Sequence, residues 1–62
     1  MINYKYLNWC LKNMERGVYS PLTIEKILAK THHLWTNGNL TLAQYRDLIL
    51  RCEALEITKG DD

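Results

Sequence analysis

Leu7, Cys10, Leu11 and Met14 recur at spacings of three and four, the signature of one buried face on an α-helix. Val18 continues the series, and Gly17 offers the left-handed residue that ends such a helix. These positions predict a helix over 3–16. Ser20-Pro21 then reads as an N-cap followed by proline at the first helical position, which predicts a second helix over 21–36. Its apolar positions Ile24, Ile27, Leu28, Thr31, Leu34 and Trp35 fall within a sector of about 120°, with Lys26, Ala29 and His33 opposite. Asn37-Gly38 stops the pattern, because both residues tolerate positive φ.

The strongest local signal is "LTLAQY". Thr41 and Gln44 have the spacing of a capping box, and Leu40 and Tyr45 that of a hydrophobic staple. The third helix therefore runs over 41–57, with Tyr45, Leu48, Ile49, Cys52 and Leu55 as its core stripe. Residues 58–62 read as a polar C-terminal tail, leaving 1–57 as a single helical domain.

Three amphipathic helices joined by two short connections predict an all-α fold, a small three-helix bundle. The alternative is a hairpin of helices two and three, with helix one given to another subunit. A chain of 62 residues buries only about 60% of its unfolded surface, so its core is thin and homodimerisation is one way to complete it.

Two features exceed what a bundle needs. Trp9 points away from Leu7, Cys10, Leu11 and Met14, toward Lys5, Lys12, Asn13 and Arg16. It is either a surface indole stabilised by cations at i−4 and i+3 or a binding anchor, since Trp and Arg are enriched among interface hot spots. On the third helix a second apolar series, Ala43, Leu50, Ala54 and Ile57, lies opposite the core stripe. Small residues let another backbone approach, so this face is expected to pack on its own copy in a twofold dimer or to receive a partner protein.

Composition narrows the function classes. With 47% hydrophobic and 24% charged residues the chain is globular, and a net charge of +1 gives no global field for phosphate or anionic lipid. No run is long enough for a membrane span and no signal peptide is evident, so a cytoplasmic protein without membrane partners is expected. Cys10 and Cys52 sit in apolar stripes, as reduced core thiols do, where burial suppresses reactivity. His32 and His33 diverge on a helix and neither has a ligand residue three or four away; His32 is expected to border the core beside Leu28 and His33 to face water. Gly38 stands alone where a phosphate loop needs several glycines, and Glu53 and Glu56 are ordinary neighbours on a wet helical face. The expectation is no enzyme, no metal and no cofactor.

A protein partner is therefore the first expectation, with homo-oligomerisation. A weak nucleic-acid binder is the second, using Lys5, Asn8, Lys12, Asn13 and Arg16 on helix one, because the third helix counters Arg46 and Arg51 with Asp47, Glu53 and Glu56. A structural subunit of a larger assembly is the third.

From Leu34 to Leu48, "LWTNGNLTLAQYRDL" resembles the short helix-Gly-x-Leu/Ile-Thr-helix unit of SHOCT-type domains, and also small bacteriophage proteins. The shared points are Leu34, Gly38, Leu40, Thr41, Tyr45 and Leu48, about a quarter of the chain being covered. SHOCT-type units usually end a larger protein, whereas here a full helix precedes the unit. The resemblance implies an interaction or oligomerisation module, in the style of a phage or mobile-element accessory protein that binds and inhibits a host protein.

Overall fold

The computed structural model describes residues 2–60, with side chains to Ile57. It contains three helices, α1 (Tyr4–Glu15), α2 (Ile24–Thr36) and α3 (Leu42–Gly60), and no strand among the described residues. The all-α three-helix bundle read from the sequence is the fold. α3 is the spine: α1 and α2 both pack along it and meet each other only narrowly.

The core draws on all three stripes, although Ile49 of the third-helix stripe is only half-buried. Leu7, Cys10 and Leu11 of α1, Ile27 and Thr31 of α2, and Leu48 and Cys52 of α3 are all fully buried, with Leu40 between α2 and α3. Tyr45, Leu55, Leu28, Leu34 and Met14 pack around them, half-buried. Both cysteines are free thiols. Trp35, placed in the core stripe by its period, lies at the rim instead, stacked on Tyr45 with ring centroids 4.8 Å apart.

Helix ends follow local chemistry. Asn3 caps α1, its side-chain oxygen accepting from the Tyr6 N–H. Gly17 and Gly38, at φ of 73° and 76°, close α1 and α2 in the same way. The Val18 N–H donates to the Asn13 carbonyl and the Gly17 N–H to Met14; the Asn39 N–H donates to Leu34 and the Gly38 N–H to Trp35. These are paired Schellman closures. The capping box of α3 is present in both directions, Thr41 N–H to Gln44 Oε1 at 3.0 Å and Gln44 N–H to Thr41 Oγ1 at 3.1 Å.

Four expectations are corrected. α2 begins at Ile24, not at 21: the Ser20 hydroxyl donates to the Leu22 carbonyl and accepts from its N–H, which closes a turn around Pro21, and Thr23 Oγ1 takes the capping role by accepting from Lys26 N–H. Val18 does not extend the α1 stripe but is exposed, because the left-handed turn at Gly17 breaks helical period; Leu22 from the loop packs on the core instead. His32, expected at the core border, is exposed alongside His33. α3 continues to Gly60, through positions expected as tail, whereas 61 and 62 lie outside the described residues.

Candidate partner-binding surfaces

A helix has only one face to give to a thin core, and the opposite face of α1 carries Lys5, Trp9, Lys12 and Arg16. At spacings of four, three and four these four residues occupy a single row, and all are exposed. Trp9 is 50% exposed. Its ring packs against Tyr6, at a centroid distance of 5.9 Å and an interplanar angle of 32°. The indole is thus held by an aromatic neighbour one turn before it, a partner that the wheel-based expectation of flanking cations overlooked. Spacing of three on a helix was the signal that could have found it.

Tyr6 continues this surface. Burial first, and then the neighbouring Cys10 thiol and Tyr19 phenol, push its hydroxyl above the ordinary value of 10.0. Tyr19, 80% exposed, stands on the loop after α1, and Asn13 Nδ2 donates to its carbonyl at 3.0 Å. Asn13, expected as a contact residue, thereby anchors the loop that presents Tyr19. Trp9, Tyr6 and Tyr19 together give the α1 side aromatic area beside three cations.

Asn8 is also diverted inward. Its Oδ1 accepts from Arg51 Nη1, and Arg51 forks onto Glu15 through Nε to Oε2 at 2.9 Å and Nη2 to Oε1 at 3.1 Å. Nη1 also reaches Asp47 Oδ2 at 3.2 Å, and the Tyr4 hydroxyl donates to that same oxygen at 2.9 Å. The hydrogen bonds from Arg51 hold the Glu15 carboxyl below its ordinary 4.5, and the Glu15 bonds raise Arg51 in turn. This network bolts one edge of α1 to α3. No family model, curated protein or solved structure matches the chain.

The second surface is the outer side of α3. Leu50 and Ile57 are 60% and 72% exposed, and Ala43 and Ala54 are exposed on the same side. Leu42, at 56%, adds apolar area at the start of the helix. The structure therefore brings Lys5, Trp9, Lys12 and Arg16 together on one surface, and Ala43, Leu50, Ala54 and Ile57 on another.

An open groove of about 710 Å³ lies where the α1–α2 loop meets α3, floored by Met14, Leu22, Ile24 and Leu55 with Glu25 and Glu56 at its rim. None of the candidate partner-binding or self-association residues read from the sequence lines it. It lies beside the late start of α2, which no sequence pattern announced.

Burial, with Glu56 and Glu53 adding to it, pushes the Cys52 thiol to about 11, where almost no thiolate forms at neutral pH. Among the described residues no group of three or more His, Cys, Asp or Glu is placed to hold a metal ion. Among them also, no helix is long and apolar enough to cross a membrane.

Proposed function

We propose that the protein is a small non-catalytic module that binds a partner protein through the Trp9 face of α1 and associates with itself through the outer face of α3. The observation that carries the first half is the half-exposed indole of Trp9, braced by Tyr6 and set in a row with Lys5, Lys12 and Arg16. A rigid aromatic anchor with cations around it has the composition of an interface hot spot, and a partner carrying an apolar pocket with carboxylates at its rim fits it best. The likeness of residues 34–48 to SHOCT-type units and small phage proteins adds support for an accessory protein that binds and inhibits a host protein in the cytoplasm.

The test is Trp9→Ala. The variant is expected to keep the helical circular-dichroism spectrum of the wild type and to lose the protein that co-purifies with the wild type from its native host. Retention of that partner would remove Trp9 from the reading.

Nucleic acid is the second reading, favoured by the exposed row of Lys5, Lys12 and Arg16. Three cations give weak binding, and the two amides that would read bases, Asn8 and Asn13, are held by Arg51 and the Tyr19 carbonyl. Steeply salt-dependent association with generic DNA, lost when the three cations are replaced by Ala, would favour this reading over a protein partner.

A further inference from the structure

We propose that the outer face of α3 pairs with a second copy of itself in antiparallel orientation, with a twofold axis at Leu50 and two reciprocal ion pairs between Arg46 of one copy and Glu53 of the other. This rests on the self-association reading above and gives it a direction and a register.

The argument begins with the spacing on α3. Ala43, Leu50 and Ile57 are seven residues apart, so they form one nearly straight line over about 21 Å of helix. A twofold axis at Leu50 that reverses chain direction sets each position against the one with which it sums to 100. Leu50 then meets Leu50 of the second copy, and small Ala43 meets large Ile57 at both ends. The two faces mesh, bulk against gap, as knobs enter holes in antiparallel helix pairs.

Charge selects the same arrangement. Arg46 and Glu53 are exposed on one flank of this line, about 40° and 60° from Leu50, and among the described residues neither has an ion-pair partner. Antiparallel pairing brings like flanks together, which leaves Arg46 only one residue rise, about 1.5 Å, out of level with the opposing Glu53. Parallel pairing would set Ala43 against Ala43 and Ile57 against Ile57, a gap at one end and crowding at the other. It would also separate Arg46 from the opposing Glu53 by seven residues, about 10 Å along the axis, on opposite flanks. On the other flank Asp47 is already satisfied by Arg51 and Tyr4, so it brings no unpaired charge to the seam. An interface this short falls below the usual area of stable complexes, so the dimer is expected to dissociate in the micromolar range.

Sedimentation equilibrium at several concentrations tests it with exposed-site variants whose helicity is checked first. Leu50→Glu is expected to abolish the dimer. Arg46→Glu and Glu53→Arg singly set like charges against each other and are expected to weaken association about tenfold. Combined in one chain, they restore the pairing and wild-type affinity. As a second measure, Ala43→Cys and Ile57→Cys chains mixed with a short bismaleimide are expected to give the 43–57 product between chains, the native thiols being fully buried. A wild type that stays monomeric at all concentrations overturns self-association altogether. A dimer lost in Leu50→Glu but not rescued by the double reversal, or a 43–43 crosslink, leaves self-association standing and overturns the antiparallel register.

Discussion

Thr31 sits in the centre of the bundle, fully buried, and its hydroxyl has no hydrogen-bond partner among the described residues. A hydroxyl left unsatisfied in an apolar core costs about 1–3 kcal/mol. Thr31→Val keeps the shape and the helix propensity while removing that oxygen. It is expected to stabilise the protein by about 1 kcal/mol, or about 4–8 °C in Tm for a domain of this size. A thermal melt decides it, and a lowered Tm would mean that the hydroxyl is satisfied in solution. Trp9 is the converse case, an apolar side chain in water. The helical period was enough to place it there, and the spacing of three made Tyr6 a reachable neighbour, but which of Tyr6, Lys5 and Lys12 the indole meets depends on rotamers.

Among elements, the termini explain both what the sequence disclosed and what it hid. A cap that acts within four residues is legible: Thr41 with Gln44, and the glycines at 17 and 38, behave as their types dictate. The start of α2 was not, because Ser20 and Thr23 are both competent caps and the choice between them is tertiary. Leu22 must reach the core before the helix begins, so the later cap wins. Gly38 gives a clean test of this level. Nothing lies within 4 Å of where its Cβ would stand, so Gly38→Ala meets no clash and pays only for a left-handed backbone. The expected loss is about 1–2 kcal/mol in a urea melt, with helical content retained. The groove beside Leu22 was illegible for the same reason as the helix start: it is made by packing, not by pattern.

At the scale of the molecule, α1 is joined to α3 by two different seams, an apolar one through Leu7, Cys10 and Leu11 and a polar one through Arg51. Only the polar seam responds to pH. Because the Arg51 bonds lower Glu15 in the folded chain, its contribution is full above the ordinary value of 4.5 and is lost as pH falls through the lowered folded value. Glu15 is well exposed to solvent, so water screens the pair and its worth is about 0.2–1 kcal/mol. Glu15→Gln is therefore expected to be slightly less stable than wild type at pH 7, with the difference shrinking as pH is lowered below 4.5, read by urea melts across that range. A difference that does not shrink on acidification would show that the glutamate acts by some means other than its charge.

Because α3 is the spine and α1 and α2 barely touch, the molecule can come apart in stages. The α2–α3 packing, which includes the Trp35–Tyr45 stack and the buried Leu40, is more extensive than that of α1 and is expected to outlast it, though α1 supplies Leu7, Cys10 and Leu11 to the core. Native-state hydrogen exchange is expected to show two tiers, with the amides of α1 opening together at a lower free energy than those around Ile27 and Leu48. A single tier across all three helices would contradict it. Detached, α1 would still carry the whole Lys5–Trp9–Lys12–Arg16 row, so its grip on a partner and its hold on the bundle are separable equilibria, and a partner that favoured the free helix would unfold its own receptor by mass action.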